Sequence, residues 1–165
     1  MDLSLAERGT HQGLPNNPDA EANVLSAMLL SSEVVEEALT ELLPDDFYRP
    51  MNKALFETMH DMYDRSMPID SITLIDYLNS ENKLQEVGGE AYILELMGQT
   101  LSLVIWQHHA SIVRRDAMLR EIIGATNQIN QLAYNAPTDT KEVVERAESM
   151  LLSVTCLLYT TDAAD

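Results

Sequence analysis

The chain has 165 residues, 27 acidic side chains against 10 basic ones, a net charge of -17 and a single cysteine. That length can bury a core without disulfides or metal, and one thiol excludes an internal disulfide framework and fits a reducing compartment. Affinity for phosphate backbones comes from Lys and Arg, so this balance argues against a nucleic-acid surface or an anionic membrane as partner. No apolar run approaches a membrane span and residues 1–14 lack a signal-peptide design, which makes the cytosol the expected compartment.

Apolar residues make up 45% but aromatics only 5%, so Leu, Ile, Val, Ala and Met must do the packing, a bias toward helices. Residues 1–16 are polar and punctuated by Gly and Pro, and read as a flexible leader. Asn17 and Pro18 form a helix start, with Asp19 and Glu21 in the first turn where the macrodipole favours acids. Val24, Leu25, Met28 and Leu29 give this helix its apolar stripe. Ser31 or Ser32 caps a second helix with Val34, Val35, Ala38, Leu39 and Leu42 inward, ended by Pro44.

Leu43 to Asp70 reads as the stretch around which the chain is organised. Arg49 is pushed out of helical space by Pro50, and Pro50 suits a first helical turn. Leu55, Phe56, Met59, Met62 and Tyr63 then share one face as far as about Arg65. Phe47 and Tyr48, between helices, are expected core anchors together with Leu55, Phe56 and Met59. The clustered methionines Met51, Met59, Met62 and Met67 read as core filling, with an adaptable contact surface as the alternative. Asp70 opens a fourth helix carrying Ile72, Leu74, Ile75 and Leu78. Gly88 and Gly89 break the chain before a fifth with Tyr92, Ile93, Leu96 and Met97.

A long helical pattern then runs from about Ser102 to Tyr134. Ile112, Leu119, Ile122, Ile129 and Ala133 fall on alternating three- and four-residue steps if Arg115 and Thr126 fill the gaps, a coiled-coil type of seam. Arg114, Arg115 and Arg120 on this helix read as a solvated face, with a contact patch for an acidic partner as the sharper alternative. Asn135 to Pro137 make a turn, and Asp139 with Glu142 resembles a capping box. Val143, Ala147, Met150 and Val154 continue the step on a last helix, so the two helices should form an antiparallel hairpin. The expected fold is all-α: a bundle of five or six helices over residues 17–100, a helical hairpin over 101–155, and a tail, 156–165, that departs from this plan and reads as a non-native scar. Cys156 in that tail is given no role.

Catalytic chemistry is hard to find. The phosphate-cradling pattern G-x-x-x-x-G-K-[ST] is absent, so ATP hydrolysis by that mechanism is excluded for this chain. Gly88-Gly89 reads as a turn. His108 and His109 are adjacent and would point about 100° apart on a helix, and His60 has only Asp64 within one turn. Asp45-Asp46 after Pro44 reads as turn and cap residues rather than an acid/base pair. No metal or cofactor is expected.

The run DDFYRPMNKALFETM, then MPID and EVGGEAYILEL, together with the opening PNNPDAEANVLSAML, resembles the amino-terminal domain of the DnaB-type replicative DNA helicases, and the similarity extends more weakly through ASIVRRDAMLREII to about Thr155. The segment Leu101 to Ile105, with His108 and His109, departs from the family's pattern of small residues followed by aromatics. The resemblance implies an all-helical domain with a hairpin, dimers arranged as a collar on a hexamer, and docking of primase or a helicase loader. It also implies an ATP- and magnesium-dependent motor domain absent from this chain. From their continuous spacing, Ile112, Leu119, Ile122, Ile129, Val143, Ala147 and Met150 are expected to build the hairpin seam and its subunit interface, with Arg115 added to the subunit or partner interface. A free-standing acidic adaptor for a basic partner is the alternative, and a small hydrolase using carboxylates and His60 is a third reading.

Overall fold

In the chain's computed structural model, residues 13–99, 103–135 and 140–162 are described, with side chains as far as residue 155. The elements are α1 (Pro18–Leu30), α2 (Ser32–Glu41), a 3-10 turn (Pro44–Asp46), α3 (Pro50–Asp64), α4 (Ser71–Ser80), α5 (Gly89–Gly98), α6 (Trp106–Tyr134) and α7 (Thr140–Asp162). Among the described residues there is no strand. The all-α expectation therefore holds, with five helices and a 3-10 turn preceding a hairpin of two long ones. α7 passes Thr155, where the hairpin was expected to end, because the stretch that follows contains neither proline nor glycine to stop it. The expected turn at Ala136 and Pro137 and the cap at Asp139 lie outside the described residues.

The most enclosed element is α1, not the Leu43–Asp70 stretch. It packs against α2, α3, α5 and α6, and Ala20, Ala22, Val24, Leu25, Ala27, Met28 and Leu29 are all buried. Small residues on several sides let four neighbours approach its backbone. The one hydroxyl in this wall, Ser26, is satisfied by donating to the carbonyl of Leu96 at 2.7 Å. Around α1 the apolar stripe of α3, Leu55, Phe56, Met59 and Met62, is fully buried, each side chain contributing roughly 1.5–3 kcal/mol. Phe47 meets Phe56 with ring centroids 4.8 Å apart.

A buried carboxylate ties this core together. Glu21 accepts hydrogen bonds from the backbone N–H of Tyr48 at 2.7 Å, that of Arg49 at 3.3 Å and the Asn52 amide at 2.7 Å. The Asn52 carbonyl in turn accepts from the Tyr92 hydroxyl at 2.7 Å. One acid from α1 thus fixes the entry to α3, and through it α5.

Tyr48 is not the core anchor expected from the sequence. The backbone at Phe47 is extended, so consecutive side chains point to opposite sides: Phe47 goes in, and Tyr48 stays 42% exposed. Ile72 also faces out, because the buried face of α4 is Leu74 and Leu78 with Ile75 beside them, and Ile72 is off that stripe. Tyr63 sits at the edge of the α3 stripe and is half-exposed.

Local end signals account for the helix boundaries. Asn17 accepts from the N–H of Ala20, Ser31 from that of Val34. Gly88 has φ +91°, a backbone conformation that calls for glycine. Asp70 accepts from the N–H groups of Ile72 at 2.9 Å and Thr73 at 3.0 Å, and from the Thr73 hydroxyl at 2.8 Å. The bonds from Thr73 hold its carboxyl below the usual carboxylate range. Asp70→Ala should therefore lower stability by about 1 kcal/mol. The folded pKa is depressed, so this contribution is complete above the unfolded value and fades as pH falls through the folded one. Urea unfolding at neutral pH and at pH 3 should show the wild-type advantage shrinking in acid.

Candidate protein-interaction surfaces

Trp106 starts α6, four residues later than expected, and the first half of the helix belongs to the globular part. Trp106, Ala110, Val113 and Ala117 are buried at four-, three- and four-residue steps. This stripe passes through Val113 and not through the neighbouring Ile112 of the expected seam. Ile112 is half-buried against the same core, while Leu119 and Ile122 are 42% and 39% exposed.

Two of the three arginines are committed to holding α6 in place. Arg120 donates to the carbonyl of Pro15 at 2.9 Å and that of Asp46 at 2.7 Å, and its guanidinium lies 5.4 Å from the centre of the Tyr48 ring. Arg114 donates to the Glu41 carbonyl at 2.8 Å. These bonds fasten α6 to the segment before α1, the end of α2 and the 3-10 turn. Burial pushes the Asp46 carboxyl up, while its bond from the Leu43 N–H and the nearby Arg114 and Arg120 hold it down. Arg115 points outward and pairs with the buried Asp116 at 2.8 Å. The trio is thus neither a plain solvated face nor a cationic patch.

Beyond Arg120 the partner of α6 is α7. Ile129 is half-buried, as are Val143, Ala147, Met150 and Val154 on the facing helix. Val143 and Met150 share a groove of about 420 Å³ with Gln128, Gln131 and Leu132. The expected set therefore divides. Ile129, Val143, Ala147 and Met150 are half-buried on the two hairpin helices, whereas Leu119, Ile122 and Arg115 look outward. Sequence reasoning missed a second outward set, Val144, Leu151 and Leu152, all exposed on α7. Their one- and seven-residue spacing was the available signal.

The polar groups considered for catalysis do not converge. Asp45 pairs with Lys53, and Asp46 accepts from the Leu43 N–H at 2.8 Å. His60 reaches Asp64 at 3.9 Å on the exposed side of α3. The His108 and His109 rings are 6.3 Å apart and tilted, and burial pulls the His109 pKa below its ordinary value. Among the described residues no three His, Cys, Asp or Glu side chains come together as an ion site, and no helix is long and apolar enough to cross a membrane.

Comparison with known proteins gives a consistent result. Residues 13–115 match the family described as DnaB-like helicase N terminal domain. The chain is 30% identical over 156 residues to the replicative DNA helicase DnaB of Pasteurella multocida, covering 93% of this chain and 33% of that protein. Among solved structures it is similar to the N-terminal domain of DnaB helicase from Mycobacterium tuberculosis, with 31% identity, a TM-score of 0.78, and coverage of 86% of this chain and 99% of that one. A DnaB-like replicative helicase whose structure is described with its interactions with primase shares the fold at 22% identity and a TM-score of 0.70, over 90% of this chain and 36% of that one. The chain spans between 24% and 33% of the length of the first three curated relatives it matches.

Proposed function

The chain belongs to the DnaB-like helicase N-terminal domain family, and from that premise we propose that it is the non-catalytic assembly and primase-docking domain of a hexameric replicative DNA helicase. The motor that hydrolyses ATP with magnesium lies outside these residues. Family membership replaces the reading of an adaptor unrelated to helicases. The observation that carries the proposal is the hairpin. Its own seam takes up Ile129, Val143, Ala147 and Met150, yet Leu119 and Ile122 on α6 and Val144, Leu151 and Leu152 on α7 stay exposed. On this reading these exposed apolar side chains serve as the protein-binding surface, the use that contiguous exposed apolar patches have elsewhere. The functional division follows from this: a globular part through the base of α6, and a hairpin that presents contacts to neighbouring subunits and to primase.

The primase half of the proposal is tested by calorimetric titration with the cognate primase. Saturable binding is expected, weakened at least about tenfold by Val144→Asp with Leu151→Asp. Absence of binding, or binding undiminished by the pair, would remove primase docking from this surface.

A further inference from the structure

A second surface lies away from the hairpin. Pro68 stops α3, Ser66 turns the chain at φ +56°, and the N–H of Met67 donates back to the Met62 carbonyl at 2.9 Å. This turn stands off from the first turns of α2 and leaves a groove of about 660 Å³. Val35, Tyr63, Met67 and Ile69 line it, with the carboxylates of Glu36 and Asp64 beside them. No Lys or Arg lines the groove. The guanidinium nearest in sequence, Arg65, is drawn elsewhere, to Asp61 at 3.1 Å and to the face of Tyr77 at 5.7 Å. His60 approaches Asp64 only to 3.9 Å, and the Asp64 side chain remains 67% exposed.

We infer that this groove docks a basic, apolar segment of another protein, with aliphatic or aromatic side chains against Val35, Tyr63, Met67 and Ile69 and a Lys or Arg on Glu36 and Asp64. Charge selects the occupant. A second copy offers only 10 Lys and Arg against 27 acids, so it is poorly supplied with the cations that the groove's carboxylates would select. The chain's own residues 1–12 carry Arg8 against Asp2 and Glu7, so they offer no net positive charge either. The apolar lining separates this surface from the plain acidic face of α2, which would take any cation without selecting a shape. The inference is independent of the hairpin and its partners, since α2, α3 and the turn before α4 supply every lining residue.

The test uses the whole chain and a fluorescein-labelled peptide of mixed Leu and Lys, with a Ser/Lys peptide of equal length and charge for comparison. Anisotropy should show the Leu/Lys peptide binding at least about tenfold more tightly than the Ser/Lys peptide. Glu36→Lys with Asp64→Lys, both at exposed positions, should abolish that binding, and Tyr63→Ala should weaken it severalfold with circular dichroism unchanged. Amide shift changes should centre on residues 32–36 and 63–69. Equal affinity for the two peptides would reduce the surface to non-specific charge and overturn the inference, as would shifts centred on α6 and α7. Binding that emerges only after removal of residues 1–12 would assign the groove to the chain's own leader and overturn it too.

Discussion

Glu21→Ala should lower the unfolding free energy by about 3 kcal/mol or more, because it leaves two backbone N–H groups and an amide without their acceptor at a buried site. For a chain of this size that corresponds to a fall in Tm of about 10 °C. Glu21 is 2% exposed, and its partners come from the turn into α3 and from α3 itself, 27 to 31 residues away in sequence. Removing the carboxylate does not merely delete a contact. It frees the segment that orients Phe47 inward and places Tyr48 beneath Arg120. Glu21→Gln separates these effects. Its carbonyl can still accept from the Tyr48 N–H, but its amide meets the Arg49 N–H and the Asn52 amide donor to donor, so it should recover only part of the loss. Coupling between Glu21→Ala and Asn52→Ala in a double-mutant cycle should exceed about 1 kcal/mol. Urea denaturation followed by circular dichroism measures all three quantities. A Glu21→Ala protein within about 0.5 kcal/mol of wild type, the range of an ordinary surface change, would show that water replaces the carboxylate and that the hub is dispensable.

The sequence exposes some of this architecture and hides the rest, for reasons that can be named. Ends of helices are local: Asn17, Ser31, Pro50 and Asp70 act on backbone groups two or three residues away, so their roles are readable in place. The stripe of α3 is readable because polar residues interrupt it on the other faces. In α6 the neighbours Ile112 and Val113 are both apolar, so two stripes one position apart are equally supported. Packing against the globular part decides that Val113 goes in. Glu21 was unreadable for a different reason. An acid in a first turn suits the macrodipole whatever else it does, and nothing nearby in sequence announces donors arriving from residues 48–52. Arg120 is a similar case, since its acceptors at Pro15 and Asp46 are 105 and 74 residues away. Helix signals and periodicity carried the fold and the family resemblance agreed with them, but the division of the hairpin into an inner and an outer face needed the positions of both helices.

That division determines which substitutions can test assembly. Leu119→Asp combined with Ile122→Asp should convert an assembled chain into monomers while leaving its helix content unchanged. The two positions are three residues apart, hence on one side of α6, and are about 40% exposed in the isolated chain. An aspartate there is solvated in the monomer, where surface substitutions usually stay within about 0.5 kcal/mol. In a subunit contact the same carboxylate is buried without a partner, which costs several kcal/mol. Two of them should weaken association by at least about a thousandfold, since each 1.4 kcal/mol is tenfold in Kd. Met150→Asp or Val143→Asp would not discriminate, because either would open the hairpin from within. Ile72→Asp is the comparison, an 80% exposed isoleucine on α4 that takes the same substitution at a single site, one added negative charge against two, with no expected effect on mass. Light scattering across a concentration series reads the outcome. An unchanged mass for the double variant would remove Leu119 and Ile122 from the interface, and an equal drop for Ile72→Asp would assign dissociation to added negative charge alone.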